Sequence, residues 1–475
     1  RVHGDIKKYF YHLRLQNLPQ LKQLISSNPS SKFIVLLGVS NFASESVSMS
    51  EQAECPDCTS HLSDAVLLKI LSFIPPPNQI DFSLVCTRWC RVQGLLLQSL
   101  SLNDWSFLCS GRMFRRFPNL TQIDLTRSLV HTDRNSGVFV SSRLSVPVGT
   151  ASAGNTSLII PSKEFLPPGI VDYGLGLISE YFPKLRSISV IGPTEDGMLN
   201  LCSCCLVLQE LELHSCDDFS LKGMSKCRNL QEVKLIGKVE GLYDSVISDI
   251  GLTIIANGCP GLVKLELRGC EGSYDGVKAI GQCCSLLEEI SLKDHRMDGG
   301  WLSALSYCSS LRRLKLASCK GIDISPGPDE HLGECHALEE LTLEMCRLKG
   351  NSEGVVALFS ICRGVRKLRM RNCVGLDDEI LRYASVLMDV KELLVEGCSL
   401  VTTAGLESIV LKWNGLECLE VVSCNNVRDT EVSFELSSLF SVLKELRWRP
   451  DTRSFLTSAL ADTGVGLKGT RFLKN

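Results

Sequence analysis

From Leu185 onward the apolar positions recur in one phase. Leu185, Leu208, Leu230, Leu262, Leu287, Leu311, Leu338, Val365, Val390, Leu416 and Leu443 each open a run of LxxLxL type. From Leu208 the openings lie 22, 32, 25, 24, 27, 27, 25, 26 and 27 residues apart. Units such as LVKLELRGC, LRRLKLASC, LEELTLEMC and VRKLRMRNC alternate apolar and polar residues, which predicts a short strand with one buried face. Segments such as DIGLTIIANGCPGL, EGVVALFSICRGV and TAGLESIVLKWNGL predict the helix that follows. A unit this small cannot bury its own faces, so neighbours must stack into a curved solenoid, strands on the concave side and helices on the convex side. The expected fold class is therefore α/β. With Leu120 (LTQIDL) included there are about twelve units. The 32-residue interval places extra residues near Gly237 to Ser245, expected as a protruding loop.

A different pattern fills His61 to Val92. Ser63 is placed to cap a helix, and Val66, Leu67, Ile70, Leu71 and Ile74 follow at helical spacing. Pro75, Pro76 and Pro77 stop it, because proline lacks the ladder N–H. Ile80, Leu84, Val85, Trp89 and Val92 form a second apolar set. A segment this short buries only part of such faces by itself, so the rest needs another domain or another protein.

LSDAVLLKILSFIP followed by SLVCTRWCRV resembles an F-box, the helical module that docks onto the Skp-type adaptor of cullin-RING ubiquitin ligases. The resemblance covers Leu62 to Val92, and Leu84-Val85-Cys86-x-Arg88-Trp89 is its most specific part. Ser63 stands where F-boxes usually carry proline. The repeats resemble the cysteine-containing leucine-rich repeats found behind F-boxes, in a style that looks plant-like. The resemblance implies that Leu62, Leu67, Ile70, Leu71, Leu84, Val85 and Trp89 contact the adaptor, with the cullin scaffold an indirect partner.

Cysteine usage fits the repeat. Of 23 cysteines, Cys216, Cys270, Cys319, Cys346, Cys373, Cys398 and Cys424 fall eight residues after an opening residue. Cys227, Cys259, Cys284, Cys308, Cys335 and Cys362 fall three before one. Stacked repeats bury them as small hydrophobes, which argues against a disulfide framework and for a reducing cytoplasmic or nuclear location. Cys202, Cys204 and Cys205 are read as packing. Cys55 and Cys58 form one CxxC without a second pair at zinc-finger spacing, so no metal is expected.

The formal net charge of −3 exerts no overall pull towards nucleic acid or anionic membrane, and the early apolar run Phe33 to Val39 is far short of a span. The chain opens at Arg1 and its first methionine is Met49, so residues 1–60, of which 1–48 need not be native, are set apart as a disordered or non-native extension. The remaining boundaries expected are 61–93 for the F-box, 94–127 for linker and first repeat, and 128–169 for a mobile Ser/Gly/Pro-rich insertion. The repeats then occupy 170–449 and a cap and tail 450–475.

Four residues past each opening, the strand phase puts Glu212, Lys234, Glu266, Ser291, Lys315, Thr342, Arg369, Leu394, Glu420 and Arg447 on the concave face. Arg313 and Lys315, then Glu340 and Glu344, then Arg369 and Arg371 give a mixed-charge surface. It suits selection of a protein substrate by complementarity, or simple cross-strand pairing. His295, Asp298 and Trp301 (KDHRMDGGW) read as loop packing and Ser325 to Glu330 as a rigid rim loop. No Walker phosphate loop, HExxH or GxSxG occurs, so neither catalysis nor a cofactor is expected. The expected function is substrate receptor of a Skp–cullin–F-box ubiquitin ligase, acting on an unidentified protein by positioning rather than chemistry. A small-molecule hormone co-receptor and an adaptor-independent scaffold are the alternatives.

Overall fold

The computed structural model describes residues 58–73, 83–128, 165–239, 243–297, 299–451 and 471–472. The chain divides into two units, Arg1–Leu97 with Arg115–Asn119, and Gln98–Phe114 with Leu120–Asn475.

The described residues of the first unit include the helices α1 (Asp64–Ser72) and α2 (Thr87–Leu96). The Ser63 hydroxyl accepts from the Val66 N–H at 3.4 Å, the cap its position predicts. Cys86 Sγ accepts from the Trp89 N–H at the start of α2. Leu67, Leu71 and Val92 are almost wholly buried together, with Leu68, Trp89 and Leu96 packed around them. Arg88 ties the unit polar-side: its guanidinium donates to Asp64 at 2.8 Å and to the carbonyls of Thr59 and Leu62. Ile74, the Pro75–Pro77 stop and Ile80 lie outside the described residues.

The second unit is a parallel sheet of fourteen strands in near-sequential order. They are β1 (Ser99–Ser101), β2 (Gln122–Asp124), β3 (Ser187–Ile191), β4 (Glu210–His214), β5 (Glu232–Ile236), β6 (Lys264–Arg268), β7 (Glu289–Lys293), β8 (Arg313–Ala317), β9 (Glu340–Glu344), β10 (Lys367–Arg371), β11 (Glu392–Glu396), β12 (Cys418–Val422), β13 (Glu445–Arg449) and β14 (Arg471–Phe472). From β3 to β13 the second and fourth residues of each strand are buried, Leu314 and Leu316 in β8 for example. They meet connecting helices that include α3 (Pro168–Tyr181), α4 (Glu195–Cys204), α5 (Asp249–Gly258), α6 (Tyr274–Cys283), α7 (Ser352–Ile361), α8 (Asp378–Tyr383), α9 (Thr403–Val410) and α10 (Phe434–Val442). This is a leucine-rich-repeat-like solenoid, in which each repeat is stabilised chiefly by its neighbours.

Nine of the strands end in the same turn. The residue after the strand lies in the left-handed region at Gly192, Ser215, Gly269, Asp294, Ser318, Met345, Asn372, Gly397 and Ser423. Small or polar residues suit that conformation, and Met345 is the exception. A cysteine follows in most repeats and donates its thiol proton to main-chain carbonyls: Cys346 to Leu316 at 3.3 Å, Cys373 to Leu343 at 3.4 Å. Burial pushes the thiols of Cys259, Cys270, Cys308 and Cys335 up to about 12, so they stay protonated and unreactive at neutral pH.

A second ladder joins the helix starts. Asp249 in α5 accepts from the N–H and hydroxyl of Ser273 and from the Gly276 N–H of the next repeat, at 2.6–3.0 Å. Asp172 does the same for Thr194, Asp218 for Ser248 and Asp378 for Thr402. The helix-start donors that a solitary repeat would leave unpaired are thus satisfied by its predecessor. Glycine is required opposite: a Cβ on Gly405 would stand 1.9 Å from the Asp378 carboxylate.

Four expectations change. Ser99–Ser101, read as linker, is the first strand of the sheet and pairs with β2. Arg471–Phe472, placed in the cap and tail, pairs with β13. The Gly237–Ser245 insert does not protrude where it is described: Val239 and Tyr243 form an antiparallel bridge, and Tyr243 is buried beside His214 and Phe165. Cys202 and Cys227, read as packing thiols, form a disulfide between α4 and the end of the following turn; the other cysteines from Cys86 onward are free. The insertion beyond Ser128 lies outside the described residues up to Phe165.

Candidate partner-binding surfaces

The helical segment presents its apolar residues unequally. Leu84, on the turn before α2, is 71% exposed, and Val66 on the outer face of α1 is 40% exposed. Leu62, Ile70, Val85 and Trp89 are half-buried. Leu67 and Leu71, which the sequence pattern groups with them, are instead the unit's core at 1% exposure. Periodicity identifies the apolar stripe but does not divide it between core and surface, and Val66 was missed for that reason. Trp89 is held by its indole N–H, which donates to the Thr59 hydroxyl at 3.4 Å. The Arg88 guanidinium beside Asp64 keeps that carboxyl below its usual range, so the ion pair persists at neutral pH.

On the solenoid, the third residue of each strand lies where the phase predicts. Lys315, Thr342, Arg369, Leu394, Glu420 and Arg447 stand in one register row. This face is a network of cross-strand ion pairs. Lys234 bridges Glu212 at 2.9 Å and Glu266 at 3.8 Å; Lys264 bridges Glu232 and Glu289; Arg313 holds Glu289 at 3.0 Å. Lys315 reaches Glu344 at 2.5 Å, Arg369 bonds Glu340, and Arg371 holds Glu396 at 3.1 Å. All six residues expected to read a substrate are therefore engaged with neighbours. Each exposed pair contributes about 0.2–1 kcal/mol, and a partner that broke one would have to replace it.

Glu212 is a strongly perturbed carboxylate. Burial raises its pKa, but the hydrogen bond and charge of His214, with Lys234 beyond, outweigh burial and hold it down to about 2. His214 is buried, 2.8 Å from Glu212 on Nε2 and 3.4 Å from the Tyr243 hydroxyl on Nδ1. Because the folded value is depressed, this stabilisation is present above the unfolded value near pH 4.3 and is lost as pH falls towards 2. Glu212→Gln should cost on the order of 2 kcal/mol at pH 7. In urea titrations the gap from the parent should close between roughly pH 4.3 and 2.

The remaining sequence candidates pack. His295 lies edge-on to Trp301, while Asp298 falls outside the described residues. Asp329 of the rim loop accepts from Tyr274 at 2.9 Å and Ser303 at 2.8 Å. That loop stands in place of a connecting helix, since residues 318–339 contain none. Among the described residues no group of three or more His, Cys, Asp or Glu could hold a metal ion, and no helix is long and apolar enough to cross a membrane.

Residues 59–94 match the F-box domain family. The match encloses α1, all but the last two residues of α2, and every residue through which an adaptor contact is expected. Of curated proteins, "Putative RNA-binding protein EEED8.10" of Caenorhabditis elegans is 24% identical over 246 residues, which are 50% of this chain and 31% of that protein. The chain thus spans about a third of that relative. Of solved structures, an internalin from Listeria monocytogenes aligns with a TM-score of 0.29 and 15% identity, covering 54% of this chain and 80% of its own.

Proposed function

We propose that the chain is the substrate-recognition subunit of a Skp–cullin–F-box ubiquitin ligase. The observation that carries this reading is the F-box match over residues 59–94, in a segment that leaves Leu84 and Val66 uncovered. Leu84, Val66, Leu62, Ile70, Val85 and Trp89 form the adaptor contact, while Leu67 and Leu71 shape it from beneath. The solenoid holds a protein substrate, and the ligase supplies the chemistry. Binding both raises the effective concentration of a substrate lysine at the ubiquitin-charged enzyme. The thiols buried in the repeats suit a reducing cytoplasmic or nuclear setting.

RNA binding, suggested by the relative's name, gains no support from the strand face, where lysine and arginine are paired with glutamate. The test is capture of a Skp-type adaptor by the intact chain. Leu84→Asp should lower capture at least tenfold, with the circular-dichroism melt unchanged. Equal capture by parent and variant, or none by the parent, would sink the reading.

A further inference from the structure

The substrate surface can be narrowed, granting the receptor reading. The strand face is saturated with internal ion pairs, but the edge where the strands end is not. The residues after Cys319, Cys346 and Cys373 form a row along that edge: the Arg347 N–H donates to the Cys319 carbonyl, the Val374 N–H to the Cys346 carbonyl, and Arg347 bridges in parallel to Val374. In this row Lys320 and Arg347 are neighbours, both exposed, with exposed Lys349 two residues on and half-buried Lys293 at the end of β7. None of the four pairs with a carboxylate among the described residues.

The carboxylates nearby are already engaged. Glu344 is held by Lys315, Asp294 by Arg268 at 3.0 Å, and Asp323 by the N–H groups of Gly300 and Ser325. The edge therefore carries uncompensated positive charge beside a face that is neutralised from within. The row then turns apolar, with Val374 61% exposed and Leu400 of the following repeat 49% exposed.

We propose that this edge docks an acidic segment of the protein substrate, its carboxylates on Lys293, Lys320, Arg347 and Lys349 and an adjoining apolar residue on Val374 and Leu400. Neighbouring strands lie about 4.8 Å apart and an extended chain rises about 3.3 Å per residue, so an acidic run of about four residues spans the cations. A protein segment fits better than nucleic acid. The cations are few, the next exposed positions are aliphatic, and among the described residues of this row no aromatic is interleaved on which bases could stack.

The probe is a fluorescein-labelled peptide of four glutamates followed by two leucines, titrated with the full-length chain and read by anisotropy. Binding should saturate, weaken with added salt, and fall at least tenfold for Lys320→Glu/Arg347→Glu/Lys349→Glu. The same peptide with lysines for glutamates should not bind. Leu84→Asp should leave anisotropy unchanged while losing the adaptor, which separates failure of this site from failure of the ligase reading. A thermal melt of the triple variant matching the parent establishes that it is folded; if it is not, Arg347→Glu alone takes its place. Absence of saturable binding, or equal binding by the variant, overturns the proposal. So does a single-stranded RNA oligonucleotide that binds more tightly than the peptide and is lost in the same variant, which would make the edge a nucleic-acid surface.

Discussion

Trp301→Ala is expected to cost about 3–5 kcal/mol, as truncation of a buried tryptophan does. Trp301 is fully buried and faces Leu252, Leu267, Ile280 and Leu292, where the core already holds a small apolar void. Its indole N–H has no hydrogen-bond partner among the described residues, so nearly all of its contribution is packing. Its position amplifies the loss. The helix it opens is only Trp301–Ala304, and the next connection, 318–339, has no helix to close the gap. Because repeats are stabilised by nearest neighbours, a weakened interface in mid-array uncouples the flanks. Urea unfolding followed by circular dichroism should therefore change from one transition to two. Trp301→Phe, which keeps most of the volume and removes the unpaired donor, should cost less than about 1.5 kcal/mol. A single unshifted transition for the alanine variant would show that the array does not depend on this junction.

In the F-box segment, Leu71→Ala should unfold what Leu84→Asp leaves intact. The described core there is Leu67, Leu71 and Val92 with three partly buried neighbours, so losing one leucine removes about 2–5 kcal/mol from a very small total. Hydrogen exchange of the α1 amides should accelerate at least tenfold in Leu71→Ala and stay at the parental rate in Leu84→Asp. Both variants should lose adaptor capture at low concentration, for different reasons. Raising the adaptor concentration should restore capture by Leu71→Ala, because a partner that binds only the folded form draws it back by mass action. It should not restore Leu84→Asp, whose defect is in the contact. Identical exchange in the two variants would contradict the division of the stripe into core and surface.

That division marks where sequence reading stops. A strand phase fixes which way each side chain points, so the row from Glu212 to Arg447 was legible residue by residue. The openings every 22 to 32 residues were enough to stack the repeats. What joins one repeat to the next was not legible, because it depends on side chains a full repeat apart. Lys315 finds Glu344, Asp249 finds Ser273, and Cys202 finds Cys227; no local pattern ranks those pairs above their rivals. Tyr243 shows the same limit. The long interval near Gly237 reads as a protruding loop, yet its tyrosine is drawn down onto His214 by burial that only the assembled sheet provides. The turn-and-cysteine unit, a left-handed residue followed by a thiol aimed at a carbonyl, could have been found from the recurring GC, SC, MC and NC pairs.

The cysteines held along the solenoid also make the molecule its own recorder. A free thiol buried at this phase is shielded while its repeat is closed, and becomes available to an alkylating reagent when that repeat opens. Cys216, Cys270, Cys319, Cys346, Cys373, Cys398 and Cys424 are spread along the array at known intervals. A timed pulse of reagent, read peptide by peptide in a mass spectrometer, would give the order in which the repeats open, without any label having been introduced.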